Sequence, residues 1–585
     1  MNTLYTSWET VNWTSVQERI SKWQNKIYEE SKAGNIVVVR GLQRQIVNSF
    51  DAKLLATRRV TQDNRGKATA GADGVRRVPA RQRLDLAKSL RVPTKAQPVR
   101  RVWISKPGGA ESRPLGIPTI RDRAMQALVK LALEPEWEAR FEPNSYGFRP
   151  GRNAHDAVRE VLNVLVKGEK YVLDADIGSC FDTIDHDALL DTKICMKGRM
   201  RAQIKSWLKA GTLDGTTFNE SRSGTPQGGV ISPLLANIAL HGLENELKAW
   251  IITLPEVRNV KGNPLKKSKR AASLHVVRYA DDFVVLHPDR NVIIEARAEI
   301  QRILAKSGLA LSTSKTRLTH TRRLRSDDTP ALGFDGNVGF DFLGFTFKQF
   351  DSVHHSEKSN RGERLGYRSR VVPSAKSQLK HQRRLHNVVL ARGKGLGQSA
   401  LIQKLNPIVR GWASYFGASD ANTAGILAKQ DYLLYLKLRQ WAKRKTGSAK
   451  RAYQKYWPEV EDQPRTFRSG KVTLLTHQSK SNPIRRYVKV KSARSPFDGN
   501  ERYWAKRRPE APTQRTRISV LLRRQKGTCA ICGLAFTDDD VLEEDHIIPK
   551  ARGGKDHQKN RQLLHRHCHD EKTRHDGSNE PHESP

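Results

Sequence analysis

The stretch VVRYADDFVVL (Val276–Leu286) sets Asp281 and Asp282 side by side in an otherwise apolar run. Such a run belongs inside a sheet. Buried carboxylates are costly unless they are paired or bind a cation, and neighbours repel each other. The chain must therefore fold so that a cation reaches this point. In a hairpin reading, VVRY pairs with FVVL and Ala280–Asp281–Asp282 falls at or near the turn. A third acid, Asp176, ends the segment YVLDAD about a hundred residues upstream. That strand end, set beside the hairpin, brings three carboxylates together. Mg²⁺ takes carboxylate, water and phosphate oxygens in an octahedral shell. Two such ions stabilise the attacking and leaving oxygens of an in-line displacement at phosphorus. The plainer alternative is an acidic hairpin turn, since Asp is common in turns.

At 585 residues the chain is too long for one core, and about three to five domains are expected. Lys and Arg number 104 against 60 Asp and Glu, a net charge of +44. This excess points to a polyanionic partner, nucleic acid ahead of a membrane surface; the alternative is a solvated basic exterior. No apolar run approaches the ~18 residues that span a bilayer. The start, MNTLYTSWETVNW, lacks the basic and apolar regions of a signal peptide. Five cysteines do not suggest a disulfide framework, so the chain reads as intracellular, with Cys180 and Cys195 as core or near-core thiols.

Residues 1–60 carry helical periodicity, and TAGADGV (Thr69–Val75) is a glycine-rich turn. Arg101–Pro135 reads as strand, glycine turn, strand and helix. SGTPQGGVISPLLANIAL (Ser223–Leu240) is a turn entering a helix, and FDFLGFTF (Phe340–Phe347) is strand-like. From about 375 to 460 the pattern is helical and basic. Trp412, Tyr415, Phe416, Tyr432, Tyr435 and Trp441 lie within it. Aromatics at helical spacing read first as core, and the cations between them as phosphate contacts. Residues 461–518 are poor in apolar side chains and suit a linker or docking region. No internal repeat is visible.

YADD, with DIGSCFDTID, GTPQGGVISPLLANI, ISKPGGAESRPLGIP and DFLGFTF, resembles the reverse transcriptases encoded by bacterial and organellar group II introns. The resemblance covers about residues 40–460. It implies an α+β multidomain chain built on a right-hand polymerase. Fingers and palm with a helical N-terminal extension would fill 1–375. An α-helical thumb, domain X, would follow at 376–460, then a basic DNA-binding region at 461–518. Asp176, Asp281 and Asp282 would be the catalytic carboxylates, with Asp176, Asp281 and the backbone carbonyl of Ile177 holding Mg²⁺. Phe181 would lie beneath the incoming sugar and exclude a 2′-hydroxyl, selecting deoxynucleotides. Lys106 and Arg113 would grip the triphosphate, Gln227 would contact the nucleotide, and Lys315 would sit near the primer. Without the resemblance, Phe181 is also a fair core aromatic, Lys106 and Arg113 a solvated hairpin, and Gln227 part of a turn. One departure is AGADG (Ala70–Gly74), where the family has Pro-Gly-Val-Asp-Gly; it affects a finger loop, not the chemistry.

Near the C-terminus, Cys529-x-x-Cys532 and His565-x-x-Cys568 supply four ligands suited to a structural, tetrahedral Zn²⁺. A unit this small has little core and gains from a metal staple; the alternative is reduced cysteines packed as small hydrophobes. Asp545–His546, the Gly553–Gly554 pair, Asn560 and His569 resemble HNH nucleases, implying a ββα-metal domain at 519–585. Asp545 and His569 would hold a divalent cation, His546 would be the general base, and Asn560 would brace the loop. Many relatives carry Cys where His565 stands. His557, His567 and His575 read as surface residues.

The resemblance implies a multifunctional mobile-intron protein: an RNA-directed DNA polymerase that assists splicing of its intron RNA and nicks target DNA to make a primer. Its partners would be intron RNA, read by shape and phosphates, target DNA and deoxynucleoside triphosphates. No membrane is expected, and the location would be the bacterial cytoplasm. A non-enzymatic RNA-binding splicing factor would explain the charge but not the intact acids. A reverse transcriptase domesticated for host defence is the third reading.

Overall fold

The computed structural model describes residues 5–576 apart from 106–111, 359–361, 460–464, 481–483, 492–493 and 515. Helices α1 (Trp13–Lys32), α2 (Ile36–Asn48) and α3 (Phe50–Arg58) open the chain. They pack on a long helix, α5 (Ile120–Arg140), which follows α4 (Ala80–Ser89) and the antiparallel pair β1 (Val99–Ser105) and β2 (Ser112–Ile117). Pro135 sits inside α5 and frees the Leu131 carbonyl that its missing N–H would have used. Gln24 Nε2 of α1 donates to that carbonyl at 2.9 Å. The helix therefore runs on, buried almost throughout, instead of stopping at the proline.

After α6 (Ala154–Val166) comes the central strand β3 (Tyr171–Asp176). The short strands β4 (Thr212–Asp214) and β5 (Thr217–Asn219) extend the first pair into a sheet of order β2-β1-β4-β5. Strands β6 (His275–Tyr279), β7 (Asp282–His287), β8 (Arg317–His320) and β9 (Phe334–Val338) complete the central sheet, order β6-β7-β3-β8-β9. A third sheet holds β10 (Phe340–Phe342), β11 (Phe345–Asp351) and β12 (Tyr367–Pro373). FDFLGFTF is thus a tight hairpin, reversed at Leu343–Gly344, both at positive φ. Its Phe side chains pack inward on one face, as period-two alternation requires.

The basic segment forms helices Ala375–His386, Gln398–Phe416, Ile426–Thr446 and Ala449–Tyr456 around a separate core that includes Leu385, Leu405, Leu438 and Trp441. Most of its aromatics are structural. Tyr415 and Phe416 pack on Phe345 at 5.3 and 5.0 Å and tie these helices to the hairpin. Tyr432 is exposed.

The described residues between 465 and 514 dock on the rest of the chain. Asp156, which closes a capping box at the start of α6, gathers them. It accepts from Tyr487 Oη (3.1 Å), Val490 N–H (2.8 Å) and Arg507 (2.5 Å). The last unit pairs strands Leu542–His546 and Arg561–His565 antiparallel and follows them with helix Arg566–His575. Its core of Leu521, Leu522, Phe536, Leu563 and Leu564 is its own.

Two expectations are corrected. Cys195 is exposed: it stands at φ 48° where a helical stretch ends and its backbone turns outward. His567 is buried, because its helix presents that side to the N-terminal helices. Among the described residues, no helix is long and apolar enough to cross a membrane.

Candidate active centres

The register of the central sheet assembles the acidic centre. Asp176 lies directly opposite Asp282 across β3–β7, and Tyr279 opposite Asp282 across β6–β7. Asp281 occupies the turn with Ala280, whose φ is 59°. Ile177, next after Asp176, donates its N–H to the Asp281 carbonyl at 3.2 Å, fixing turn and strand end together. Burial, with Asp174, Asp176 and Asp281 nearby, pushes Asp282 up to about 7. Burial also raises Asp281, against the nearby cations Lys315 and Arg113. Carboxylates held with raised proton affinity are short of positive charge, and a divalent cation suits this donor set.

Lys315 meets Asp176 directly, Nζ standing 3.0 and 3.1 Å from its two carboxylate oxygens. Arg113 is exposed on β2, opposite Ile104. Lys106 lies outside the described residues. The Gln227 carbonyl accepts from Gly116 N–H of β2 at 2.7 Å. Gly228 follows at φ 118°, where a Cβ would stand 2.8 Å from the Gly116 carbonyl oxygen. The loop of Gln227 and the strand of Arg113 are thereby joined. Phe181 is half-buried, edge-on to Phe148 at 6.2 Å.

Several supports were not singled out from sequence. Arg278, buried in β6, donates to Asn237 Oδ1 (3.1 Å) and to the Ala280 carbonyl (3.2 Å). Asn237 in turn donates to the Gly147 carbonyl (2.8 Å). A Cβ on Gly147 would lie 2.4 Å from Ala280 N, so only glycine lets this segment seat the turn. Asp174, two residues before Asp176, is bound by Arg317 (2.9 Å). The available signals were an Arg in an apolar strand and an Asn in an apolar helix, each needing a buried partner.

In the C-terminal unit, ligand atoms of Cys529, Cys532, His565 and Cys568 all lie within 4.8 Å of one another. Contacts with the Cys532 and Cys568 sulfurs hold Cys529 well below the usual thiol range. Burial opposes charge on His565, but Asp540 and the sulfurs outweigh it and raise it to about 11. Three cysteine sulfurs and one imidazole, converging within 4.8 Å of one another, fit zinc.

Asp545 meets Lys572 Nζ at 3.0 Å, and His546 Nε2 lies 3.5 Å from Asp556. His569 sits one residue after Cys568 on the terminal helix. Asn560 donates to the carbonyls of Ile548 (2.9 Å) and Lys555 (3.0 Å) and accepts from Ile548 N–H (2.9 Å), closing the loop between the two strands.

Residues 8–90 match the N-terminal domain of reverse transcriptase, and 104–347 match reverse transcriptase (RNA-dependent DNA polymerase). Residues 378–457 match the group II intron maturase-specific domain, and 529–575 match HNH endonuclease. Protein YkfC of Escherichia coli (strain K12) is 33% identical over 311 residues, 49% of this chain and 77% of that protein. The chain belongs to the group II intron reverse transcriptase family. Group II intron-encoded protein LtrA of Lactococcus lactis subsp. cremoris is 32% identical over 287 residues, 41% of this chain and 47% of LtrA, so the match spans about half of that relative. Maturase-like protein 1 of Euglena gracilis is 26% identical over 424 residues, 70% of this chain and 77% of that protein. A reverse transcriptase domain, a maturase-specific domain and an HNH endonuclease domain thus follow one another in this member of the family.

Proposed function

We propose that the chain copies RNA into DNA at Asp176, Asp281 and Asp282, binds its intron RNA to assist splicing, and nicks target DNA with its HNH unit to create the primer. The observation that carries this is the acidic centre: a strand end facing a hairpin turn, with three carboxylates converging, in a chain of this family. In this reading residues 1–375 are fingers and palm, 376–460 the thumb, 461–518 a DNA-binding region and 519–585 the nuclease.

Bound Mg²⁺ would lower the cost of deprotonating the primer 3′-hydroxyl and of releasing pyrophosphate. Asp176, Asp281 and the Ile177 carbonyl would hold it, and Asp282 would balance charge behind them. Arg113, with Lys106, would bind the triphosphate, and Gln227 would set the nucleotide against the template. Phe181 would close the space a 2′-hydroxyl needs. Lys315, paired with Asp176, would leave that carboxylate for an entering phosphate. In the nuclease, Asp545 and His569 would hold a divalent cation and His546 would take a proton from the attacking water. Cys529, Cys532, His565 and Cys568 would hold the structural zinc, with Asn560 keeping the loop closed.

Replacing Asp281 with Ala tests the polymerase. cDNA synthesis should fall roughly 10²- to 10³-fold or more, with intron RNA binding and splicing assistance retained. Synthesis at the wild-type rate would defeat the assignment.

A further inference from the structure

The reverse transcriptase unit and the nuclease unit have separate apolar cores. One acidic loop of the nuclease joins them. Asp538, Asp539 and Asp540 stand in sequence just before strand Leu542–His546, an acidic run in a chain of net charge +44. Asp539 lies between two cations of the reverse transcriptase unit, 3.2 Å from Arg59 Nη1 and 3.5 Å from Lys130 Nζ. These cations, Lys130 foremost, hold its carboxyl below the usual range. Asp538 accepts from Gly151 N–H and lies 4.0 Å from Arg508. Asp540 turns the other way. It accepts from Thr537 N–H (2.6 Å) and meets the zinc-ligand candidate His565 at 3.4 Å. The loop therefore links the metal cluster of one unit to the surface of the other.

A second contact fixes the orientation. Gln62 donates to Asp570 at 2.9 Å and accepts from Trp8 Nε1 at 3.2 Å. His567 packs on Trp13 with ring centres 6.2 Å apart, and Arg58 lies over the same tryptophan at 4.7 Å. His567 and Asp570 are three residues apart and share one face of their helix. Lys572, two residues beyond Asp570, reaches Asp545 from another side. Docking thus uses one side of this helix and leaves a different side to the Asp545 pair. The seam mixes ion pairs with ring packing and borders a cavity of about 920 Å³ lined in part by Lys22, Arg502 and Lys506 together with Ile20, Leu55 and Trp504. An incompletely filled seam opens more readily than a close-packed one, and its ion pairs weaken with salt.

We propose that the Asp538–Asp539 loop is an electrostatic latch that holds the nuclease on the N-terminal helices in one orientation, and that this latch hands the nicked end to the polymerase. The proposal rests on the functional reading above. In nicking, water adds to phosphorus and the P–O3′ bond breaks, leaving a 5′-phosphate and a 3′-hydroxyl. That hydroxyl then gives up its proton, bonds to the α-phosphorus of a deoxynucleotide, and pyrophosphate departs. Holding both units in fixed relation raises the effective concentration of the new end at the acidic centre.

The test uses the full chain with its intron RNA and a plasmid carrying the joined exon sequences that flank that intron. The variants are Asp539→Arg, Arg59→Asp, and the two combined. Either single change should raise amide hydrogen exchange across residues 566–575. Each should lower nick-primed cDNA roughly ten-fold or more, while plasmid nicking and extension of an annealed primer stay at the wild-type level. The combined change restores the Arg59 pair with reversed sign but leaves Lys130 facing a like charge, so it should restore both readouts in part, above either single variant. Unchanged exchange in both single variants overturns the latch. Nick-primed cDNA that keeps pace with nicking, despite raised exchange, overturns the coupling. So does a fall in nicking itself, which would make the loop a part of the nuclease fold. A wild-type chain that neither nicks nor extends would instead defeat the functional reading, and exchange would still decide whether the latch exists.

Discussion

Asp282 is where electrostatics and chemistry meet most directly. Burial and its acidic neighbours raise it to about 7, and burial raises Asp174 to about 6, against an unfolded carboxylate near 4. Between about pH 4 and 7 these two groups therefore hold more protons in the folded chain than in the unfolded one, so the stability they contribute falls as pH rises through that window. A cation bound at the centre favours the ionised form and offsets the loss. In Mg²⁺-free buffer, replacing Asp282 with Asn should raise the melting temperature more at pH 7.5 than at pH 5. Mg²⁺ should raise that of the unaltered chain more at pH 7.5 than at pH 5. An equal Mg²⁺ shift at both would count against an ion at these acids. The three acids could be picked out from the residues, and the Mg²⁺ role proposed for them rests on their convergence. The supporting Arg278–Asn237 contact could not be picked out, because its partners lie some forty residues apart and only the folded sheet joins them.

At the scale of elements, the turn between β6 and β7 depends on its seat. A methyl group at Gly147 would stand 2.4 Å from Ala280 N, so Gly147→Ala must displace the turn. A displacement near 1 Å can cost roughly 10²-fold in rate. Gly147→Ala should therefore lose most cDNA synthesis while nicking persists; full synthesis would show the turn tolerates the shift. The nuclease strands and helix have a different dependence. Their core is small, and the four-ligand cluster joins the Cys529 turn to the start of the last helix. Removing zinc, or making Cys529→Ser, should abolish amide protection across 529–575 and leave the central sheet protected. Retained protection after metal analysis shows no zinc would defeat the staple. The helical runs, the paired strands and the ββα order could be expected from periodicity and the resemblance. The passage of α5 through Pro135 could not, since it needs Gln24 from a distant helix.

Across the whole molecule, the charge of +44 lies on the units before residue 519, since residues 519–585 carry 11 Lys and Arg against 12 Asp and Glu. If phosphate contacts dominate, the logarithm of intron RNA affinity should fall linearly with the logarithm of salt concentration, with a slope of roughly −0.7 to −0.9 per neutralised phosphate. Affinity that ignores salt between low and physiological ionic strength would contradict a phosphate-led interface. The same salt should loosen the acidic loop from Arg59 and Lys130, so binding and inter-unit contact are expected to respond together.

The residue order alone pointed to the chemistry: which carboxylates would carry it, which cysteines and histidines can gather a metal, and that a polyanion is the expected partner. Those features depend on residue type and local spacing. Tertiary structure decided what meets what. It put Asp176 opposite Asp282, paired Lys315 with Asp176, made Asp156 the anchor for Tyr487, Val490 and Arg507, and set Asp539 between Arg59 and Lys130. Each of these is a contact between distant segments, formed only when burial of the apolar cores brings their backbones together.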